Sequence, residues 1–311
     1  MKKLKFSQAI EGFDLACRSR HLSLHTLADY QNTYRKLQAF LDKDPPFEKI
    51  DKDILEKFLA AQTHVSNKTV SNYHIGLSAL WTWAVTQNIV SGNPLHSIER
   101  PKAGKPDIIP FTEADVRAIL AAIKQSKVYV RPGKRAGAHT LPQADRNRAI
   151  VLTLLDTGMR ASELCERFIK DVDLRNQDKT ITIIGGKGDK DRHVPISART
   201  AQSIWKYLAT RPGSRLSEPL FATDSGRHIE RNNLGNMLSA AGERAGVPDV
   251  HPHRFRHTFA INFLRNGGNI YALQAILGHE TLEMCLRYLK IAQVDLDDAH
   301  RRASPVDNWQ L

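Results

Sequence analysis

The 311 residues are enough for two domains, and 41% hydrophobic with 25% charged residues is the composition of a folded, soluble protein. The 45 Lys and Arg residues outnumber the 33 Asp and Glu residues, giving a net charge of +12. This charge favours a polyanionic partner, and nucleic acid is the leading one; a basic surface that only maintains solubility is the alternative. Three scattered cysteines indicate neither a disulfide framework nor a cysteine zinc site, and no apolar run approaches the ~20 residues of a membrane span, so we expect a cytoplasmic protein.

The sequence up to about residue 92 has helical periodicity throughout. Apolar residues recur at helix spacing in SLHTLADYQNTYRKLQAFLD, where Ser23 or Thr26 is placed to cap the start. A second stripe runs through NKTVSNYHIGLSALWTWAV, and we interpret its aromatic residues as core and not as a base-stacking surface. The sequence SGNP at 91–94 ends this stripe, so we predict a compact helical domain.

Two segments interrupt the helical pattern. Residues 99–110, ERPKAGKPDIIP, contain three prolines and no apolar periodicity, which predicts an extended linker. We therefore divide the chain into a domain at 1–104, which includes the start of the linker, and a domain at 105–311. The basic, glycine-containing segment 127–145 is either a DNA-contacting loop or a solvated insertion.

The clearest strand signal lies at 179–196, in KTITIIGGKGDKDRHVPI. A β-branched run, a turn rich in glycine and charge, and a second short run predict a hairpin. Helical patterns return after it and continue through HRFRHTFAINFLRN and NIYALQAIL. The predicted fold class is mainly α with a small β hairpin or sheet, an α+β fold.

The densest cluster of functional side chains is HPHRFRHTF at 251–259. Pro252 suits the first turn of a helix, and His253 and Arg256, three residues apart, then share one face near its N-terminus. The helix dipole, free backbone N–H groups and a guanidinium all favour a phosphate there. A zinc site on His253 and His257 is the alternative, which the flanking arginines and the missing HExxH carboxylate disfavour.

Two further basic residues follow glycine turns. Arg160, in LLDTGMRASEL, stands where a helix begins, and Glu163 lies on the same face one turn later, able to orient a neighbour or offset the dipole. Lys187, in GGKGDK, is held between glycines at the tip of the predicted hairpin, and Lys190 is its rival for any role. Each residue taken singly is typical of a solvated surface.

Downstream, His279 follows a helix-ending glycine and Tyr288 lies nine residues later, on what we predict to be the next helix. Tyr271, inside the periodic IYALQAIL helix, is expected to be an ordinary half-buried core tyrosine.

The ordered set of motifs resembles the tyrosine recombinase (phage integrase) family, and the resemblance extends over nearly the whole chain. It is carried by Arg160 in TGMRASEL, Lys187 in GGKGDK, His253 and Arg256 in HPHRFRH, His279 in LGHE and Tyr288 in LRYLKI. The family has an N-terminal helical core-binding domain tied by a linker to a mixed catalytic domain, which matches the predicted organisation. The long 127–145 segment and Cys285, where small polar residues are common, depart from the family pattern.

The resemblance implies site-specific DNA breakage and rejoining with no metal ion and no nucleotide cofactor. Tyr288 would be the nucleophile, which with a phenol pKa of ~10 needs positive neighbours and a proton acceptor. Lys187 would protonate the departing 5′-oxygen as general acid. A 3′-phosphotyrosyl intermediate and a free 5′-hydroxyl would result, and the covalent link conserves the energy of the broken bond.

The same resemblance assigns the other positions. Arg160 and Arg256 would hold the non-bridging phosphate oxygens, His253 would assist proton transfer from the tyrosine, and His279 would hydrogen-bond the phosphate. The implied partner is double-stranded DNA with a specific recombination site, bound by a homotetramer on two DNA sites. The sequence leaves open whether an accessory DNA-bending protein is needed. It also leaves open whether the recombinase acts for a mobile element or on the chromosome itself.

Three alternative functions compete with the recombinase interpretation. A type IB topoisomerase would relax DNA alone with a similar site, and a non-catalytic DNA-binding protein would keep the fold without the chemistry. A metal nuclease would need the acidic runs DVD at 171–173 and DLDD at 295–298, which lie apart from the basic cluster. The complete set of six positions favours the recombinase.

Overall fold

The computed structural model describes residues 4–102, 104, 107–126, 139–184, 191–292, 300 and 304–308. Two compact units make up the chain, Met1–Pro106 and Asp107–Leu311, each built around its own hydrophobic core. Among the described residues, no helix has the length and hydropathy needed to cross a lipid bilayer.

The first unit is helical over its described residues, as the periodicity predicts. Its α-helices are α1 (Phe6–Ser19), α2 (Leu24–Leu41), α3 (Lys52–Ala60) and α4 (Asn67–Thr86), with 3₁₀ turns at Phe47–Lys49 and Pro94–Ser97. Ser23 is the cap of α2, because its hydroxyl accepts the backbone N–H of Thr26 at 3.1 Å. Phe47 stacks on Trp81 with ring centroids 4.7 Å apart, and both are fully buried, so the aromatic stripe is core.

The second unit contains most of the helices and a small sheet. In its described residues the helices are α5 (Glu113–Lys124), α6 (Ala144–Thr157), α7 (Ala161–Cys165), α8 (Ala198–Ala209), α9 (Arg231–Ala245), α10 (Pro252–Arg265), α11 (Ile270–Leu277), α12 (Glu283–Ala292) and α13 (Pro305–Asn308). A 3₁₀ turn at Ile169–Asp171 leads into the sheet.

The sheet has three antiparallel strands in the order β1 (Val172–Asp173), β2 (Thr180–Ile183) and β3 (Arg192–Pro195). The predicted hairpin is confirmed as the β2–β3 pair, in which Ile181 faces Val194. Ile181, Ile183 and Val194 are fully buried, which fixes the register of the pair. Lys187, which the sequence pattern predicts at the hairpin tip, lies outside the described residues.

Helices α10, α11 and α12 pack together around a separate small core that includes Ile261, Leu273, Leu277 and Cys285. The prediction that Tyr271 is a half-buried core residue is wrong, because its side chain is 67% exposed. Helix α11 has eight residues and buries Leu273 and Leu277. Tyr271 precedes Leu273 by two positions, and at about 3.6 residues per turn it lies on the opposite side.

Helix α6 ends at Gly158, whose backbone has the left-handed φ of +59°. This conformation is unfavourable for residues with a Cβ. A Cβ here would also lie 2.5 Å from Cδ1 of Phe259 and 2.7 Å from Cδ2 of Leu277. Glycine therefore allows the end of α6 to approach both α10 and α11 closely.

We expect Gly158→Ala to lower the free energy of unfolding by more than the ~1–2 kcal/mol of left-handed strain, because the new methyl group also overlaps Phe259 and Leu277. The matched control is Gly246→Ala, which ends α9 at φ +69° with no atom within 4 Å of the added Cβ. Thermal unfolding of the two variants measures the difference. Equal melting temperatures would contradict the predicted overlap.

Candidate active site

Helix α10 begins at Pro252, and its cap is His251, whose side chain accepts the backbone N–H of Arg254 at 3.3 Å. The first turn leaves His253 exposed, whereas Arg256 is buried and His257 is partly buried. The start of this helix therefore places one imidazole at the surface and directs a guanidinium and a second imidazole inward.

Main-chain carbonyls at the ends of two helices position Arg256. Its Nη1 donates to the carbonyl oxygen of Gly158 at 2.8 Å, and its Nη2 donates to that of Leu277 at 2.8 Å. Gly158 caps α6 and Leu277 is the last residue of α11, so both carbonyls carry the partial negative charge of a helix C-terminus. Burial and the neighbouring Arg160 lower the pKa of Arg256 to about 10, which still leaves it cationic at neutral pH.

Arg160 lies at the cap position of α7 and is bound by Glu163. The backbone N–H and Nη1 of Arg160 donate to the two carboxylate oxygens at 2.7 and 2.8 Å, while its Nη2 donates to the carbonyl of Gly278 at 3.2 Å. Arg192, from β3, donates to the same carboxylate at 2.9 Å and to the carbonyl of Ile276 at 2.9 Å. Glu163 thus binds two guanidiniums, and each of them also donates to a carbonyl at the end of α11.

The charge balance of this cluster favours an anionic ligand. Burial alone would raise the pKa of Glu163, but the hydrogen bond from the Arg160 backbone and the charges of Arg192 and Arg160 together lower it, so Glu163 is a carboxylate. One carboxylate cannot neutralise the guanidiniums of Arg160, Arg192 and Arg256. A phosphate brought to this place would offset the remaining positive charge and accept charge-assisted hydrogen bonds.

His279 follows Gly278, the left-handed residue that ends α11, and is buried. Its Nε2 lies 2.8 Å from Nη2 of Arg256, and its Nδ1 lies 3.2 Å from Sγ of Cys285. Burial and the charge of Arg256 lower the pKa of His279 to about 4, so the ring is neutral at pH 7. Because a guanidinium only donates, Nε2 is the acceptor and the ring proton lies on Nδ1, toward the sulfur of Cys285.

Tyr288, on α12, is 6% exposed and stacks on His279 with ring centroids 6.4 Å apart and planes within 12°. Its hydroxyl lies 2.9 Å from Nδ1 of His257. Burial raises the pKa of Tyr288, and the charge of Arg256 opposes this increase. The phenol is therefore protonated at neutral pH and lies beside the cationic cluster.

The structure brings together most of the predicted site residues: Arg160, Glu163, Arg256, His279 and Tyr288. His253 lies one helical turn from His257, with ring centroids 6.4 Å apart, and Lys187 lies outside the described residues.

Sequence reasoning missed the contacts of His257 and Arg192. The crowding of histidines in HPHRFRH does mark His257, but the sequence pattern indicates it only as a possible metal ligand. No comparable signal marked Arg192. Across the described part of the chain, no three His, Cys, Asp or Glu side chains cluster closely enough to hold a metal ion.

Comparison with protein-family models identifies the family to which this chain belongs. The model described as the phage integrase family matches residues 110–294, more than half of the chain. The chain belongs to the phage integrase family. A second model, the phage integrase SAM-like domain, matches residues 10–101 of this integrase-family protein. The SAM-like match lies within the first unit, and the phage integrase match lies within the second.

Curated relatives of this family member span almost its full length. A tyrosine recombinase XerC of Pelobacter propionicus is 29% identical over 292 residues, covering 92% of this chain and 91% of the relative. A tyrosine recombinase XerC of Staphylococcus carnosus is 29% identical over 295 residues, covering 92% and 93%.

Solved structures of DNA-bound recombinases and integrases have a similar fold to this chain. XerH site-specific recombinase, in a post-cleavage complex on a palindromic difH substrate, is 25% identical with a TM-score of 0.71, covering 95% of this chain and 84% of that one. The Tn1549 transposon integrase in complex with transposon right-end DNA is 20% identical with a TM-score of 0.74, covering 96% and 99%. This integrase-family protein is a tyrosine recombinase, an enzyme of site-specific DNA recombination.

Proposed function

We propose that Tyr288 attacks a phosphodiester of duplex DNA, forming a 3′-phosphotyrosyl link and releasing a 5′-hydroxyl, with no metal ion or nucleotide cofactor. The observation that carries this proposal is the burial of Tyr288 beside a cluster of three guanidiniums whose charge the single carboxylate of Glu163 only partly offsets. A phosphate there would meet a nucleophile and cationic hydrogen-bond donors together. The 5′-hydroxyl of a partner strand reverses the step and reseals the DNA.

The arginines stabilise the charge that develops on the phosphate. Glu163 and the carbonyl of Gly278 hold Arg160. Two helix-end carbonyls hold Arg256, so the orientation of both guanidiniums is set before DNA arrives. His279 is neutral and contacts Arg256, and turning its ring proton toward the phosphate would add another donor. Preorganised donors of this kind cost little reorganisation in the transition state.

Lys187 protonates the departing 5′-oxygen in this proposal. Support comes from the sequence, in which Lys187 lies between glycines in the segment that joins β2 to β3. His253 is exposed at the start of α10, where the helix N-terminus favours a phosphate, and the family resemblance assigns it to proton transfer from the tyrosine.

Duplex DNA carrying a specific recombination site is the proposed substrate, bound by both units and exchanged within a homotetramer on two sites. The net charge of +12 supports attraction to DNA. The related XerH and Tn1549 proteins were solved on DNA, which supports the same class of partner here. All three cysteines are free thiols, which suits action in a reducing cytoplasm. No observation favours the topoisomerase or the non-catalytic binder.

We expect the purified protein to form a covalent adduct with a nicked duplex from the DNA that borders its own gene, in the presence of EDTA and without ATP. The nick lets the short 5′-hydroxyl fragment diffuse away, so that the phosphotyrosyl enzyme accumulates. A 5′ label on the cleaved strand should shift with the protein on a denaturing gel, whereas a 3′ label should not. DNA that is bound in a mobility-shift assay yet forms no adduct would contradict the proposal.

A further inference from the structure

The hydroxyl of Tyr288 has a defined neighbour that can accept a proton. Nδ1 of His257 lies 2.9 Å from it, and the two ring centroids are 5.6 Å apart. His257 is on α10 and Tyr288 is on α12, two helices that pack directly against each other. The phenol is almost fully buried, so its proton leaves most directly through this hydrogen bond.

His253, which the family resemblance assigns to this proton transfer, has different surroundings. Its side chain is exposed, and its described ring contact is with His257, at 6.4 Å between centroids. Of these two histidines, His257 is the one that hydrogen-bonds the Tyr288 hydroxyl. His253 is therefore placed toward an arriving phosphate and His257 toward the nucleophile.

The protonation states agree with the direction of this hydrogen bond. Burial and the neighbouring His253 and Arg287 lower the pKa of His257 to about 4, so its ring is neutral at pH 7 and has a free lone pair. Burial raises the pKa of Tyr288, so the phenol keeps its proton. The hydroxyl then donates to Nδ1, and the ring proton of His257 lies on Nε2.

We propose that His257 is the catalytic residue that accepts the proton of Tyr288 during cleavage and returns it during resealing. This inference rests on the proposed function. The Oη–H bond breaks and Nδ1–H forms as Oη bonds to phosphorus, and the P–O5′ bond breaks as the 5′-oxygen takes a proton from Lys187. In resealing, the incoming 5′-hydroxyl gives its proton to Lys187, and the released phenolate recovers its own from His257.

Proton transfer before DNA arrives is unfavourable, since the phenol is a weak acid and the imidazole a weak base. The phosphate changes both properties. Its negative charge favours the imidazolium form of His257, and formation of the Oη–P bond makes the phenolic proton acidic. Transfer is thereby coupled to attack, and the free enzyme holds no reactive phenolate.

The test compares His257→Asn with the wild type in single-turnover cleavage of a nicked duplex on which the wild type forms adduct. Asparagine keeps a hydrogen-bonding group near the position of Nδ1 but cannot act as a base, so we expect a loss of ~10²–10⁴-fold in rate. A fluorinated tyrosine at position 288, being more acidic, should restore most of the rate to His257→Asn. Circular dichroism and DNA affinity check the fold, and His257→Gln is the second variant.

Two matched variants separate the roles. Lys187→Ala should be rescued by a 5′-bridging phosphorothiolate, whose sulfur leaves without a proton, and not by the fluorinated tyrosine. His257→Asn should show the reverse pattern. His253→Asn, one turn away on the same helix, should be slowed without rescue by the fluorinated tyrosine.

The outcomes are distinct. Rescue of His257→Asn by the fluorinated tyrosine alone supports the proposal. The proposal is overturned if His257→Asn cleaves at the wild-type rate, or if its slow rate is restored by neither the fluorinated tyrosine nor the 5′-bridging phosphorothiolate. It is also overturned if the fluorinated tyrosine rescues His253→Asn and not His257→Asn. Absence of adduct from the wild type on bound DNA would instead overturn the proposed function.

Discussion

Tyr288→Phe is expected to bind DNA as the wild type does and to form no covalent adduct. The change removes a single oxygen, the atom that would bond to phosphorus, and leaves the ring stacked on His279. It also removes the hydrogen bond to His257, which we expect to cost ~0.5–1.5 kcal/mol of stability. A denaturing gel for the adduct and a mobility-shift assay for binding, run on the same preparation, measure the two properties separately.

The chain offers a matched control in Tyr271→Phe, the same chemical change on the neighbouring helix α11. Tyr271 is 67% exposed and lies outside the candidate site, so this variant should form adduct at the wild-type rate. An adduct formed by Tyr288→Phe would show that another residue is the nucleophile. Loss of DNA binding in Tyr288→Phe would show that the tyrosine has a structural role in the bound complex.

Arg256→Lys is expected to reduce the single-turnover cleavage rate by ~10²–10³-fold while retaining the positive charge. Lysine cannot donate to the carbonyls of Gly158 and Leu277 and also to a phosphate with the fixed geometry of a guanidinium. Lost hydrogen bonds of a charged donor should also lower stability by ~1.5–3 kcal/mol. The rate is therefore measured below the melting temperature of the variant, at saturating DNA.

Arg146→Lys is the control for this substitution. Arg146 is also partly buried and donates from Nη1 to a main-chain carbonyl, that of Ala222, at 2.9 Å, but it lies outside the candidate site. It should lose some stability and keep the cleavage rate of the wild type. Equal rate losses in the two variants would mean that Arg256 acts through the fold and not on the phosphate.

Much of the fold was predictable because it depends on local sequence pattern. The spacing of apolar residues predicted helices such as α2 and α4, and the β-branched run at 179–184 predicted the β2–β3 hairpin. Strand β1 has two residues, too few to show an alternating pattern, and it forms because it pairs with β2. Tyr271 was misplaced because helical spacing does not reveal which side of a short helix is covered.

The candidate site was predictable as a set of residues and not as a set of contacts. His253 and His257 are four residues apart and share a face of α10, so only the packing of α12 decides which one meets Tyr288. Arg192 occupies a basic segment typical of solvated surface, and its partner Glu163 lies 29 residues earlier. Contacts of this kind depend on tertiary packing, which one-dimensional spacing does not encode.

The carbonyls that hold Arg256 and Arg160 belong to Gly158, Leu277 and Gly278, at the ends of α6 and α11. Every amino acid contributes a carbonyl to the main chain, so these contacts do not depend on the chemical identity of the side chains that surround them. Substitutions that preserve the helix ends leave the arginine anchors in place. The side chains around these helix ends can therefore change while the two guanidiniums of the candidate site keep their positions.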